Sequence, residues 1–203
     1  MKNLIIFDFF GVVSHELAPT WFKSHFKTEE SKALKDKYFK NGDLGEYDIY
    51  ELFKMMAKDL NLDYNTIITE IKSYAKLNYE LIEYIDELRK KYDVVLLSNA
   101  VRGIYELFFP ELDLNAHFDK LFVSCNYGLI KPNLDFYKLV VDSYDEKFDQ
   151  VIMIDDSYNN VKDLDKINIK GIQFINNQDL FEKLEALGIK KWCGIIHIIF
   201  ILP

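Results

Sequence analysis

Five short apolar runs, rich in β-branched residues, recur along the chain with the length and composition of buried strands. They are Leu4–Phe7, Val94–Leu97, Lys120–Ser124, Val151–Ile154 and Gly171–Ile175. Segments with helical periodicity separate these runs. Strands that alternate with helices are typical of a parallel sheet covered by helices. The pattern therefore predicts an α/β fold with a mostly parallel sheet.

The interval between the first two runs, residues 8–93, carries no convincing strand. Its apolar residues recur at helical spacing, as in Ile49, Leu52, Phe53 and Met56. Asp63 is expected to cap one helix, and Asn41-Gly42 is expected to break the helical pattern. Because an ordinary crossover needs only one helix, the surplus predicts an inserted helical unit.

We place this helical unit at residues 16–77, where it would lie over the C-terminal end of the first strand. The α/β core would then comprise residues 1–15 and 78–189. The remaining residues, 190–203, form an apolar tail with strong β character. For this tail, an extra edge strand, a dimer contact and a sequencing artefact are all open.

The composition is that of a globular protein, and it excludes several classes of partner. With 203 residues, 49% of them hydrophobic, the chain can bury one substantial core. The net charge of -8 argues against a nucleic-acid groove or an anionic membrane surface, because both require clustered Lys and Arg. The two cysteines, Cys125 and Cys193, form no disulfide framework, and the N-terminus leads directly into a strand and not into a signal peptide. No apolar run has the length of a membrane span. We therefore expect a cytoplasmic monomer or homodimer.

Polar residues follow the first four predicted strands at the points where those strands end. They are Asp8, Ser98-Asn99, Lys131-Pro132 and Asp155-Asp156. Each motif alone is more often a turn or a helix cap. The carboxyl ends of parallel strands, however, meet at the edge of the sheet where ligands bind. Together the four motifs predict one site.

The order, spacing and flanking residues of these four motifs resemble the haloacid dehalogenase superfamily, whose members are mainly magnesium-dependent phosphatases. The resemblance covers residues 3–189, and it is specific because four motifs agree in order, whereas one alone would be a weak signal. It implies a Rossmann-like parallel sheet. It also makes the helical unit similar to the helical cap of that superfamily's first cap class.

The resemblance implies a nucleophile and a metal site. Asp8 would attack a phosphoryl group and form an aspartyl-phosphate. Mg²⁺ would be held by the Asp8 and Asp156 carboxylates and the Phe10 backbone carbonyl, because a hard cation offsets the repulsion between carboxylate and phosphate. Asp155 would belong to the same metal site, from farther out or through water. Asn160, four residues beyond Asp156, would orient Asp156.

The resemblance also implies how the phosphoryl group is held. The Ser98 hydroxyl and the Asn99 backbone amide would bind its oxygens, and the Lys131 ammonium would neutralise the charge that spreads over them in the transition state. The predicted activity is the hydrolysis of a small phosphorylated metabolite.

Phe10 departs from the family pattern, because phosphatases of this family usually carry an aspartate there that protonates the leaving oxygen and later activates water. A positioned acid or base contributes roughly 10²–10⁴ in rate. Three hypotheses follow. The first is a phosphatase for substrates with a good leaving group, such as a sugar anomeric phosphate. The second is a 2-haloacid dehalogenase, which the Asp155-Asp156 pair and the lack of arginine in the helical unit disfavour. The third is a degenerate member that binds a phosphorylated ligand or a protein without turnover.

The helical unit itself offers one candidate substrate-facing surface. It comprises Asn41, Asp43, Tyr47, Tyr50 and Phe53. Helical spacing predicts core packing for most of these aromatic residues. The side chains that select the substrate are not evident from the sequence.

Overall fold

The computed structural model describes residues 2–190 and contains one five-stranded parallel sheet in the order β3-β2-β1-β4-β5. The strands are β1 (Asn3–Phe7), β2 (Asp93–Ser98), β3 (Lys120–Val123), β4 (Gln150–Asp155) and β5 (Lys170–Gln173). All five predicted strands are confirmed, and no strand end differs from its predicted position by more than two residues. The apolar tail beyond residue 190, with Cys193, lies outside the described residues.

Five helices lie between β1 and β2 in the chain, and we call the first four of them the helical insertion. They are α1 (Ala18–His25), α2 (Thr28–Asp43), α3 (Ile49–Leu60) and α4 (Tyr64–Ser73). Asp63 caps α4, since its Oδ1 accepts a hydrogen bond of 2.8 Å from the Thr66 amide, as predicted. The insertion has a buried aromatic interior that includes Trp21 and Phe22. The domain boundaries drawn from the sequence stay a prediction.

The helix break expected at Asn41-Gly42 is confirmed with a shift of one residue, because α2 ends at Asp43. A Cβ on Gly42 would lie 2.9 Å from side-chain atoms of both Tyr47 and Val101. The glycine therefore permits close packing between helix and neighbouring chain, and this tertiary contact outweighs its low helix propensity.

The two chain connections to the helical insertion run side by side. The His15 amide donates to the Lys76 carbonyl at 2.9 Å, and the Asn78 amide donates to the Val13 carbonyl at 2.8 Å. The insertion therefore leaves the core shortly after the end of β1 and rejoins it through an adjacent segment.

The remaining helices cover the two faces of the sheet. They are α5 (Tyr79–Arg89), α6 (Ile104–Phe108), α7 (Leu114–His117), α8 (Leu134–Asp142), α9 (Tyr158–Val161) and α10 (Asn177–Ala186), with single 3₁₀ turns at Ser124–Asn126 and Leu164–Ile167. Alternate residues of β1 enter opposite cores: Ile5 and Phe7 on one face, Leu4 and Ile6 on the other. Within residues 2–190, no helix is long and apolar enough to cross a membrane.

Candidate active site

The carboxyl ends of the central strands open into one cleft of about 460 Å³. Asp8, Asn99, Lys131 and Asp156 line it, so residues from all four sequence motifs meet there. This convergence follows from the strand order, because β1 lies between β2 and β4 and all three run in the same direction.

Lys131 lies at the floor of the cleft between two carboxylates. Its Nζ is 2.7 Å from Asp8 Oδ1 and 2.6 Å from Asp155 Oδ2. The Lys131 side chain is 1% exposed and that of Asp155 is 0% exposed, so these ion pairs are almost fully shielded from water. Buried charges of this kind are stable only when each has a close partner of opposite sign.

Asn99 holds the loop that carries Lys131. Its Oδ1 accepts from the Lys131 amide at 2.8 Å, and its Nδ2 donates to the Lys131 carbonyl at 3.0 Å. This reciprocal pair fixes the lysine backbone against the end of β2. The predicted role for the Asn99 backbone amide, binding a phosphoryl oxygen, stays a prediction.

Asn160 contacts a different carboxylate from the one predicted. Its Nδ2 donates to Asp155 Oδ1 at 2.9 Å and to Asp155 Oδ2 at 3.1 Å, not to Asp156. The Ser157 amide also donates to Asp155 Oδ1 at 2.9 Å, which turns this carboxylate toward the start of α9. The Tyr137 hydroxyl donates a hydrogen bond of 2.7 Å to the Asn160 carbonyl and so fixes the backbone of Asn160. The expectation that Asn160 orients Asp156 is therefore wrong.

These contacts separate the titration behaviour of the two carboxylates paired with Lys131. Burial, followed by the charge of Asp155, raises the pKa of Asp8 well above its usual range. Burial also opposes ionisation of Asp155, but the Lys131 charge and the hydrogen bonds to Asp155 outweigh it and lower the pKa of Asp155. The Lys131 pKa is raised, because its two anionic neighbours outweigh burial. The cluster therefore favours Lys131 as a cation and Asp155 as an anion.

The donor set at the cleft fits a hard divalent cation. Single carboxylate oxygens of Asp8, Asp155 and Asp156 all lie within 4.8 Å of one another. Gly11, at φ +81°, leaves room for the Asp156 carboxylate, since a Cβ on Gly11 would lie 2.5 Å from Asp156 Cγ. Burial, followed by the Asp155 charge, raises the pKa of Asp156, and a cation would relieve this repulsion. The ligand role of the Phe10 carbonyl stays a prediction.

Ser98 is completely buried at the end of β2 and is not among the residues that line the cleft. Within residues 2–190, neither its hydroxyl nor the buried hydroxyl of Tyr105 has a hydrogen-bond partner of good geometry. The two hydroxyls nevertheless lie close enough to interact. The predicted contact between Ser98 and a phosphoryl oxygen stays a prediction.

Phe10 presents an apolar ring to the cleft. The ring stacks on Tyr105, with centroids 5.9 Å apart and planes 7° from parallel, and meets Phe9 edge-on at 5.0 Å. Phe10 is therefore part of an aromatic cluster at the cleft, and its side chain supplies no proton.

Four charged side chains from residues 16–43 lie on the cleft: Glu16, Lys35, Asp36 and Asp43. Burial, followed by the charge of Asp156, raises the pKa of Glu16 to about 7. Burial also raises the pKa of Asp43 to about 7, against the opposing charge of Lys35. The sequence suggested Asp43 as substrate-facing but missed Glu16, Lys35 and Asp36. No local signal marks them, because only the fold of the insertion over β1 brings them to the cleft.

Other members of the suggested substrate-facing surface have different environments. Phe53 is fully buried in the core, whereas Tyr50 is 45% exposed and outside the cleft lining. Tyr47 packs partly buried against the core, and Asn41 donates to Glu46 at 2.9 Å. Core packing is therefore confirmed for most of these aromatic residues.

The sequence matches the model of haloacid dehalogenase-like hydrolases over residues 2–163. The chain belongs to this family. It is 23% identical over 212 residues to bifunctional epoxide hydrolase 2 of Sus scrofa, and the match covers 90% of this chain and 38% of that protein. It is 26% identical over 156 residues to flavin mononucleotide hydrolase 1 of Arabidopsis thaliana, covering 74% of this chain and 61% of that protein. This haloacid dehalogenase-like chain thus spans less than two thirds of the length of either relative.

Solved structures of haloacid dehalogenase family proteins share the fold. A predicted family hydrolase from Porphyromonas gingivalis superposes with a TM-score of 0.75 at 24% identity, covering 94% of this chain and 100% of that one. A family enzyme from Bacteroides thetaiotaomicron, in complex with magnesium and inorganic phosphate, superposes with a TM-score of 0.70 at 24% identity. The match covers 89% of this chain and 99% of that one. The family membership and the α/β fold predicted from the four motifs are confirmed.

Proposed function

We propose that this protein is a Mg²⁺-dependent phosphomonoester hydrolase that acts through an aspartyl-phosphate on Asp8. The observation that carries the proposal is the buried lysine at the cleft floor, 2.7 Å from Asp8 and 2.6 Å from Asp155, with Asp156 alongside. A nucleophilic carboxylate, a cation to neutralise phosphoryl oxygens and further carboxylates for a metal are the components that phosphoryl transfer requires.

The chemistry proceeds in two displacements. Asp8 attacks phosphorus as a carboxylate, the form that the Lys131 charge and a bound divalent cation would favour against burial, and the bond to the leaving oxygen breaks. Water then attacks the acyl phosphate, releases inorganic phosphate and restores Asp8. Lys131 faces the charge that develops on the phosphoryl oxygens. Asp155, held by Asn160 and the Ser157 amide, keeps the lysine charged and in place.

Asp8, Asp156 and the Phe10 carbonyl would hold the metal, with Asp155 beside them. Bound Mg²⁺ would offset the repulsion between Asp8 and the incoming phosphate and align the two groups. The Bacteroides thetaiotaomicron enzyme, which was crystallised with magnesium and inorganic phosphate, supports this combination by similarity of fold.

The proposed substrate is a small phosphorylated metabolite. A cleft of about 460 Å³ has room for a ligand of modest size, and its only cations within the described chain are Lys35 and Lys131. Because Phe10 supplies no proton, a sugar phosphate with a good leaving group is the class to test first.

Phe10 also supports a second candidate, a protein that binds a phosphorylated ligand without turnover. The 2-haloacid dehalogenase alternative has less support. Both arginines lie away from the cleft lining: Arg89 is bound to Asp119 at 2.9 Å, and Arg102 is exposed.

The test is phosphate release from a panel of sugar phosphates and p-nitrophenyl phosphate, with Mg²⁺ or EDTA, by the full chain and its Asp8→Asn variant. Asp145→Asn, which changes an exposed carboxylate outside the cleft lining, is the matched control. We expect Mg²⁺-dependent release by wild type and control, background release by Asp8→Asn, and an acyl phosphate detectable by mass spectrometry in rapidly quenched wild type. Binding of Mg²⁺ and phosphate without release from any substrate would favour the binding protein.

A further inference from the structure

The helical insertion brings a carboxyl group to the cleft that the chemistry described so far does not use. Asp43 lines the same cleft as Asp8, Lys131 and Phe10. Within residues 2–190, its carboxyl group makes no hydrogen bond or ion pair. Asp43 is partly buried and borders the cleft. Its carboxyl group is therefore free to interact with a molecule bound there.

The backbone at Asp43 is fixed to the core, so its position does not depend on the insertion alone. The buried Ser124 hydroxyl donates to the Asp43 carbonyl at 2.6 Å and accepts from the Ala100 amide at 3.0 Å. Two residues later, Gly45 at φ +90° packs against the Cys125 carbonyl so closely that a side chain would collide with it. These contacts join the end of α2 to the ends of β2 and β3, the strands that precede the Ser98-Asn99 and Lys131-Pro132 motifs in the chain.

The charged surroundings of Asp43 suit proton transfer near neutral pH. Its carboxyl group is affected by Lys35 and Asp36 on its own helix, by Glu16 at the start of the insertion and by Lys131 on the core. Burial dominates over these charges and raises its pKa to about 7. At that pKa both the acid and its conjugate base are populated at neutral pH, which is the optimum for a group that must donate and later accept a proton.

We infer that Asp43 is the general acid and base of the proposed reaction, in place of the aspartate that Phe10 replaces. This inference rests on the proposed function. In the first displacement, the Asp43 carboxyl donates its proton to the leaving oxygen as the P–O bond breaks and Asp8 bonds to phosphorus. In the second, the Asp43 carboxylate takes a proton from the water that attacks phosphorus, which restores both side chains. The restriction to good leaving groups that Phe10 alone would impose is thereby relaxed.

The test compares wild type, Asp43→Asn and Glu29→Gln across a series of aryl phosphates that ends with p-nitrophenyl phosphate. Glu29 is the matched control because its carboxylate lies on the same helix as Asp43 but is exposed and outside the cleft lining. We expect a shallow dependence of log kcat/KM on leaving-group pKa for wild type and for Glu29→Gln. For Asp43→Asn we expect a steep one, with a loss of roughly 10²–10⁴-fold on phenyl phosphate and less than about tenfold on p-nitrophenyl phosphate.

The pH profile gives an independent readout. Donation requires protonated Asp43, so kcat/KM of wild type for phenyl phosphate should fall as the pH rises above about 7, and this limb should be absent from Asp43→Asn. A merely structural role would lower activity on all substrates equally and leave the slope unchanged. Because the slope is a ratio measured on one preparation, partial unfolding does not affect it, and Asp43→Ser repeats the test if the Asn variant is insoluble.

The outcomes separate this inference from the function on which it rests. Equal slopes for wild type and Asp43→Asn, with release that still requires Asp8, would overturn the role of Asp43 and leave the phosphatase intact. A steep dependence of log kcat/KM on leaving-group pKa in the wild type would also overturn the role of Asp43 and leave the phosphatase intact. Release that does not require Asp8, or no release from any substrate, would overturn both.

Discussion

Lys131 offers the sharpest test of how the site is built, because one side chain neutralises two buried carboxylates. Lys131→Met removes the ammonium but keeps an apolar stem of similar length. Asp8 and Asp155, which now lie 2.7 and 2.6 Å from Nζ, would be left buried without a cation. Removal of one partner from a buried ion pair typically costs about 3–5 kcal/mol. We expect the free energy of unfolding at neutral pH to fall by about this amount when EDTA excludes a substituting cation.

The loss of stability should depend on pH with a definite sign. In wild type the lowered pKa of Asp155 contributes stability above the unfolded pKa of the group, and this contribution is lost as the pH falls through the folded value. In Lys131→Met, burial acts unopposed and raises the pKa of Asp155, as it already raises that of Asp8. The folded variant then binds protons more tightly than the unfolded chain. The variant should therefore be least stable near about pH 8 and recover toward about pH 5.

The assay is urea denaturation followed by circular dichroism at several pH values, with Lys35→Met as control. Lys35 lies on the same cleft but, unlike the fully buried Lys131, keeps contact with water. Its replacement should therefore change the free energy of unfolding by no more than about 0.5 kcal/mol. In turnover with Mg²⁺, Lys131→Met should lower kcat by roughly 10²-fold or more. A stability loss below about 1 kcal/mol, or one that is the same at both ends of the pH range, would refute the buried ion-pair reasoning. An increase in KM alone would make the lysine a binding group only.

Three further predictions concern the metal site and the reaction type. Asp156→Asn should weaken Mg²⁺ binding measured by calorimetry, and an unchanged titration would place the metal on other ligands. Gly11→Ala should weaken Mg²⁺ binding by pressing on Asp156 and should destabilise the fold by about 1–2 kcal/mol, whereas Gly188→Ala, at a similar φ of +78° with nothing within 4 Å, should cost stability alone. The protein should not dechlorinate 2-chloropropionate, because the Asp155-Asp156 pair is suited to a metal that dehalogenation does not use; stoichiometric chloride release in EDTA would contradict this.

The sequence by itself determined the sheet and the convergence of the four motifs. The five apolar runs marked the strands because a parallel sheet buries both of its faces, and this leaves a nearly continuous apolar pattern that is legible in one dimension. Asp8, Asn99, Lys131 and Asp156 could be assigned to one site because the carboxyl ends of neighbouring parallel strands necessarily meet. The departure at Phe10 was also legible, since it concerns the residue type itself.

Only the tertiary structure decided which partners these side chains have. Asn160 lies nearly as close in sequence to Asp155 as to Asp156, and the choice between them depended on how the Ser157 amide turns the Asp155 carboxylate. The arrival of Asp43 at the cleft depended on Ser124, which is 81 residues away along the chain. Such contacts between distant segments form from the packing of whole elements, and local periodicity and propensity carry no information about them.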